Sequence, residues 1–394
     1  MRSILFLHTS SDLYGADRSL LRTVAAVQTR FKVKTIACLP YEGPLLGALE
    51  ELNVETHILP LGVMRRKYFT PWGVIRWLAL VIRSFYLIKK LCVKENVQLI
   101  HSNTSAVFVG GLVAKRLKIP HLWHLREIIV NPVIIRKFIA WLYSKYATRV
   151  LGVSNSTIQH LVRDQPEITA KSEVVNNGIR LEDYDFKGQS SLRAKLKLKK
   201  EECLVGMIGR VSHWKGQDLF LDVANKVIPN YKHVKFLALG SPFQGQEELM
   251  KQFQRAVEDS NLNDRFFIHA FSSDVSEYLK AFDIFILPSK LPDPFPTTVL
   301  EAMAFGKAIV GNSHGGIEDM IVSEEEGILI DPPNDVLNMA KAVEKLIEDS
   351  DLRKLYGSKA SLKLRNNFLY RNYEEQITTL FGAYLKSDSS FVHS

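Results

Sequence analysis

From residue 4 to about residue 180, short apolar runs alternate with helical patterns, and this alternation restricts the fold more than any other feature of the chain. The runs ILFLH (4–8), VKTIACL (33–39), VETHIL (54–59) and VQLIHS (97–102) have no regular polar alternation. They suit strands covered on both faces, as in parallel sheets. Helical stretches between them, near 16–27 and again before and after 54–59, make the repeating unit βαβ. At 394 residues the chain exceeds one ordinary hydrophobic core, so two α/β domains are expected. We place them at 1–185 and 186–365, with a final helix and tail at 366–394. Residues 181–202 are polar and charged without periodic burial and read as the linker. From Asn334 to about Leu385 the pattern is helical, and the closing KSDSSFVHS reads as a frayed end.

Composition excludes several classes. With 46% apolar and 24% charged residues the chain is globular. Cys38, Cys92 and Cys203 lie far apart in no ligand spacing, which reads as buried free thiols in a reducing compartment and predicts neither zinc nor another metal. The first eight residues read as a strand and not as a signal peptide, so cytoplasmic residence is expected. The net charge of +9 predicts an anionic partner.

The stretch 283–311, DIFILPSKLPDPFPTTVLEAMAFGKAIVG, carries the chemistry. Asp283–Leu287 is an apolar run stopped by Pro288. A proline-rich loop follows and ends at Thr297 and Thr298, either of which can cap a helix that Gly306 closes. A helix start beside a strand's carboxyl end attracts anions through free N–H groups and the helix dipole. Asp293 and Glu301 frame the turn. Upstream, the run Cys203–Ile208 delivers Arg210 to a strand end, and Lys215-Gly216 precedes another helix. Two cations beside free amides make a diphosphate clamp; a solvated charged loop is the plainer alternative.

Pro-Ser…Pro-Phe…Leu-Glu-Ala-Met-Ala-x-Gly, with the acid Asp293 separated from Glu301 by seven residues, resembles the signature of retaining glycosyltransferases of family 4. The resemblance implies the GT-B fold: two Rossmann-like parallel-sheet domains, an acceptor-side one and a nucleotide-sugar-binding one, with a cleft between them and C-terminal helices crossing back to the first. It implies that Glu301 accepts hydrogen bonds from ribose hydroxyls, that Asp293 holds hydroxyls of the donor sugar, and that Arg210 and Lys215 bind the phosphates and stabilise the leaving diphosphate without a metal or cofactor. Phe295, Thr298 and Val299 fall in the same donor-contact segment. Gly240 and Phe271 match the base-contacting edge, and Gly15 the glycine turn near the diphosphate. Near the acceptor, the family's His-Asp corresponds to His124, Arg126 or Glu127, an open choice among the three. Departures are Asp293 in place of Glu, Pro296 in place of Gly, Tyr14 in the first glycine position, Arg180 after Asn177-Gly178-Ile179, and Gly315-Gly316-Ile317-Glu318 without its Pro.

Residues 65–94 hold Arg65, Arg66, Lys67, Arg76, Arg83, Lys89, Lys90 and Lys94 and no acid, interleaved with Phe69, Trp72, Trp77, Phe85 and Tyr86. Arg76, Arg83 and Lys90 recur every seventh residue and form one basic stripe on a helix. Two readings stay open: an interfacial helix on anionic lipid, and a core helix whose basic side chains reach outward. The uncharged run Trp77–Ile82 is too short to span a bilayer, and no nucleic-acid recognition module is visible. The expected activity is transfer of a sugar from a nucleotide diphosphate sugar, UDP-linked ahead of GDP-linked, to a glycan or lipid-linked acceptor at the inner membrane face. The alternative is a non-catalytic sugar-nucleotide or lipid-binding module. A dinucleotide oxidoreductase would share the sheet but needs a Gly-x-Gly-x-x-Gly turn, and none occurs; nicotinamide or flavin binding would revive that rival. Asp183-Tyr184-Asp185 is one Asp-x-Asp and carries no metal reading.

Overall fold

The computed structural model describes residues 2–385 except 14, 66, 67 and 69. Tyr14, Arg66, Lys67, Phe69 and the tail 386–394 therefore lie outside the described residues. The chain forms two compact units. It leaves the first between Asn177 and Gly178 and returns to it between Tyr370 and Arg371.

In the first unit the order is β1 (Ser3–Leu7), α1 (Gly15–Arg30), β2 (Lys34–Leu39), α2 (Pro44–Glu51), β3 (Glu55–Ile58), α3 (Pro71–Lys94), β4 (Val97–Ser102), α4 (Val109–Leu117), β5 (His121–Leu125), α5 (Val133–Tyr146), β6 (Arg149–Gly152), α6 (Asn155–Val162) and β7 (Ser172–Val174). Each strand pairs parallel to its neighbours, in the spatial order β3-β2-β1-β4-β5-β6-β7. Strand order reverses between β1 and β4, which makes the carboxyl end of that pair the natural ligand crevice. β1 and β5 are buried along their whole length, which is why their sequences show no polar alternation. Thr70 caps α3 by accepting from Gly73 N, with Pro71 in the first turn. A reciprocal Ser154–Thr157 box starts α6. Cys38 and Cys92 lie in the core as free thiols, and burial raises the pKa of each.

The second unit runs α7 (Ser191–Lys195), β8 (Cys203–Ile208), α8 (Gln217–Val227), β9 (Val234–Leu239), α9 (Glu247–Asp259), β10 (Phe266–His269), α10 (Val275–Ala281), β11 (Ile284–Leu287), α11 (Thr297–Ala304), β12 (Ala308–Asn312), α12 (Ile317–Met320), β13 (Gly327–Ile330), α13 (Val336–Glu348) and α14 (Ser350–Asn367). Its parallel sheet is ordered β10-β9-β8-β11-β12-β13 and reverses between β8 and β11. Val205, Phe236, Ile284, Ile286 and Val310 meet Phe220, Val223 and Val343 in one apolar core, each large side chain contributing about 1.5–3 kcal/mol by leaving water. The polar segment 181–202 is not a free linker. Asp185 N donates to Ser276 Oγ, Ser190 Oγ to Glu277 O, and Arg193 NH1 to Asp283 Oδ2, so the segment is pinned along α10. Its polarity serves these contacts, which local periodicity does not reveal.

The last helix, α15 (Tyr370–Leu385), belongs mainly to the first unit. Its Phe381 stacks on Phe6 with centroids 6.1 Å apart, and Tyr373 Oη lies 2.6 Å from Thr23 Oγ1.

Candidate active site

Of the residues expected to grip a donor, the structure brings Lys215 and Asp293 into contact at the carboxyl edge of the second sheet, with Arg210 on the same turn as Lys215 and Glu301 in the helix after the Asp293 loop. The turn after β8 carries Arg210 and Lys215. Gly240, at φ +157, lets the end of β9 close on that turn, since a Cβ there would stand 1.9 Å from Gly209 O. Gly216, at φ +80, starts α8 with no room for a side chain: a Cβ would meet Pro288 O at 1.9 Å. The Lys215 loop is thereby pressed against the end of β11, and Lys290 N donates to Trp214 O across the same junction. Lys215 Nζ forms a short ion pair with Asp293 Oδ2. The Arg210 guanidinium lies 3.3 Å from the centre of the Phe243 ring.

Asp293 is held in turn by the segment after β12. Its carbonyl accepts from Gly316 N at 2.7 Å, and a Cβ on Gly315, at φ +80, would stand 2.5 Å from that carbonyl. The Gly315-Gly316 pair thus lets two loops lie backbone to backbone, which explains the glycines without appeal to a ligand. Glu301 sits in α11 and accepts from Tyr184 Oη at 3.1 Å. Neither Thr297 nor Thr298 caps that helix; Pro296 occupies the cap position with no side-chain bond, because the proline-rich loop enters it already extended. Phe295 and Val299 are buried, so their side chains shape the loop from inside. Phe271 is 68% exposed and open to a planar ligand.

Sequence reasoning missed a further set. Ser212 Oγ, Ser289 Oγ, Thr298 Oγ1 and both ring nitrogens of His314 are buried without a hydrogen-bond partner among the described residues. They come from the turns after β8, β11 and β12, three adjacent strands, and from the first turn of α11. Unpaired buried polar atoms are uncommon in folded proteins, and a water, an ion or a polar ligand can complete them. Burial lowers the pKa of His314, so its imidazole is neutral near pH 7. Nothing local in the sequence singles these residues out: Ser212, Ser289 and His314 are ordinary turn residues near strand ends, and their lack of partners is set by what the fold brings around them.

In the first unit, Gly15 begins α1, and a Cβ there would meet nothing within 4 Å. The fold itself does not require glycine at that place. His124 lies inside β5 at 0% exposure. Its Nδ1 is 3.1 Å from Arg126 NH2, and burial, then the Arg126 charge, hold its pKa well below the usual value. A general base reached from solvent is not what this position offers, because β5 is covered on both faces and either side of the strand is core. Arg126 is the hub instead, donating from Nε to Asn103 Oδ1 and from NH1 to Asn177 Oδ1. Glu127 accepts from Ser105 N and Arg126 N, and burial raises its pKa. Another unforeseen pair, His8 Nε2 and Asp17 Oδ1, stands 2.7 Å apart, with Asn103 Nδ2 3.2 Å from His8 Nδ1. These side chains all sit where the strand order reverses, at the ends of β1, β4 and β5. Arg65, Arg76, Arg83 and Lys90 are exposed; Arg76, Arg83 and Lys90 belong to α3, far along the chain from both clusters.

Residues 14–183 match the family described as Glycosyltransferase Family 4, and residues 188–363 match Glycosyl transferases group 1. The chain is 26% identical over 331 residues to the UDP-Gal:alpha-D-GlcNAc-diphosphoundecaprenol alpha-1,3-galactosyltransferase of Escherichia coli, covering 80% of this chain and 83% of that one. It is 21% identical over 262 residues to the capsular polysaccharide biosynthesis glycosyltransferase CapM of Staphylococcus aureus, covering 63% and 66%. Among solved structures, Anabaena HepE in complex with UDP superposes with a TM-score of 0.81 at 21% identity, over 97% of this chain and 100% of that one. WaaG, a glycosyltransferase involved in lipopolysaccharide biosynthesis, superposes with a TM-score of 0.69 at 15% identity, over 96% and 100%. Two parallel sheets of this order, a cation–carboxylate pair at the edge of the second, and matches that between them span most of the sequence make this chain a GT-B glycosyltransferase, with a family 4 domain followed by a group 1 domain.

Proposed function

We propose that the protein is a retaining transferase that moves a sugar from a UDP-sugar to a hydroxyl of a glycan or lipid-linked acceptor at the cytoplasmic face of a membrane. The observation that carries this reading is the Lys215–Asp293 pair, on the turns after the adjacent strands β8 and β11, the former of which also carries Arg210, with unpartnered Ser212, Ser289 and His314 on the turns after β8, β11 and β12. A diphosphate placed there would receive Lys215 and Arg210, releasing Asp293 to accept hydrogen bonds from sugar hydroxyls. Glu301, oriented by Tyr184, would accept from the ribose hydroxyls. UDP is favoured because the HepE structures hold UDP and UDP-glucose, and a lipid-linked acceptor because the Escherichia coli relative's named substrate is diphosphoundecaprenol-linked.

In this reading the bond between the anomeric carbon and the diphosphate oxygen breaks as the acceptor oxygen attaches on the same face. The acceptor proton passes to a donor phosphate oxygen, and the nucleotide diphosphate leaves with its charge held by Arg210 and Lys215. No metal is invoked, since the two cations supply the positive charge. His124 and Glu127 act indirectly, His124 by fixing Arg126 and Glu127 by holding the turn after β4.

Lys215→Ala tests the proposal. It should lower turnover of a UDP-sugar about 10²–10³-fold, the usual effect of removing one transition-state donor, with an unchanged circular dichroism spectrum. Near-normal transfer by that variant would overturn the assignment.

A further inference from the structure

The chain carries a second exposed apolar helix that the basic stripe of α3 does not account for. On α5, Ile134 is 75% exposed, Trp141 42% and Phe138 37%. These residues and Lys137 and Lys145 recur at three- and four-residue spacing along one solvent-facing stripe, while Ile139, Leu142 and Tyr143 point into the core. The outward side of α3 is built the same way. Trp72, Ile75, Ile82 and Tyr86 are exposed, and Arg76, Arg83 and Lys90 run alongside. By length and composition α3 could cross a bilayer, but Val81, Ile88 and Leu91 are buried in the unit's core, so it belongs to the helical layer of the sheet.

An aromatic relay joins the two helices. Trp77 of α3 lies 5.2 Å from Phe108, Phe108 lies 6.4 Å from Phe138 of α5, and Phe138 stacks with Trp141 at 6.1 Å. Beyond Trp141, Tyr146 lines a pocket with Lys115, Lys118 and Lys145, and the Lys115 ammonium stands over its ring at 5.1 Å. Between Leu61 and Arg149 the only acids are Glu95 and Glu127. Glu95 is ion-paired to Lys34, and Glu127 accepts from backbone amides. No free carboxylate of that stretch is left to oppose an anionic surface.

We propose that α3 and α5 together form one docking face for an anionic phospholipid bilayer. Their exposed apolar stripes enter the boundary between headgroups and chains, and the Lys115–Lys118–Lys145 pocket takes a lipid headgroup phosphate at the margin. The charge pattern selects this occupant: bases flank the apolar stripe on both helices, the arrangement by which interfacial helices bind anionic lipid. A protein partner would have to supply acids all around the patch. The inference deepens the membrane-face reading above and rests on it, but adds a helix and a headgroup site that the first reading lacks.

Flotation of the full chain with vesicles of phosphatidylglycerol and phosphatidylcholine tests it, with donor hydrolysis measured in the same samples without vesicles. Wild type should float with the mixed vesicles and not with phosphatidylcholine alone. The α5 variant Ile134→Ser/Trp141→Ser should lose at least tenfold in partitioning, and Lys115→Gln/Lys118→Gln/Lys145→Gln threefold or more, both with unchanged donor hydrolysis. Equal flotation of the α5 variant and wild type would overturn the role of α5 while leaving α3 as an anchor. Wild type that does not float would overturn the whole face, and concentration-dependent self-association in place of flotation would assign it to a second copy of the chain. Loss of donor hydrolysis in wild type itself would instead sink the transferase reading, whatever the vesicles show.

Discussion

At the scale of single residues, steric room and burial decide more than chemical type. Gly216 is the clearest case, with φ at +80 and Pro288 O at 1.9 Å from any added Cβ. Gly216→Ala should cost about 1–3 kcal/mol from backbone strain alone, and the contact with Pro288 adds to it. Thermal melting of the variant against wild type checks this; an unchanged midpoint would refute the packing described for the Lys215 loop. Lys307 gives a pH signature. Burial pulls its amine down to about 8 while Nζ donates to Phe282 O. Because the folded pKa lies below the unfolded one, the unfolded chain binds more protons between pH 8 and about 10.4, and stability rises with pH through that window. Urea unfolding at pH 8 and pH 10 should show this rise in wild type and a smaller one in Lys307→Met. Equal slopes would remove Lys307 as the cause. Asp293, Glu301, Arg210 and Lys215 stood out as candidates in the sequence because strand, turn and helix signals surround them and the string around Glu301 resembles a family signature. Ser212, Ser289 and His314 did not, since being unpartnered is a property of neighbours that only folding supplies.

At the scale of elements, the strands were the most legible, because a parallel strand covered on both faces must be apolar throughout. Helix starts were less so. The cap of α11 fell to Pro296 and not to either threonine, since the cap is chosen by how the preceding loop arrives. The strand carrying His124 was recognised, but that both of its faces are covered followed from its place in the sheet between β4 and β6. For α3 the sequence left two readings open; the structure shows one face in the core, as the core-helix reading expects, and the other apolar and exposed with a basic edge, on which the lipid proposal rests. Neutralising that edge in Arg76→Gln/Arg83→Gln/Lys90→Gln should weaken flotation with anionic vesicles by about 3 kcal/mol in partition free energy, near 1 kcal/mol per charge at the surface. The deficit should shrink at high salt; a salt-independent result would assign the effect to packing.

At the scale of the whole molecule, two units each carry a complete sheet, and the proposed donor grip lies wholly within the second. UDP at 100 times its dissociation constant should stabilise the unit that binds it by about 2.7 kcal/mol. In calorimetry this predicts that UDP raises the transition of the second unit first, with two transitions resolved if the units melt separately. A thermogram indifferent to UDP and to GDP alike would count against the nucleotide site. The boundary expected near residue 185 differs from the crossing at Asn177–Gly178, because Asp185, Ser190 and Arg193 find partners on α10 that no local pattern announces. By itself the sequence determined the alternation of strand and helix, the number of sheets and the candidate grip, since each depends on short-range signals of burial, turn chemistry and charge. Only the tertiary structure decided which polar groups are left unsatisfied, which histidine is sealed in the core and which helix faces are bare, because these depend on what the rest of the chain brings alongside.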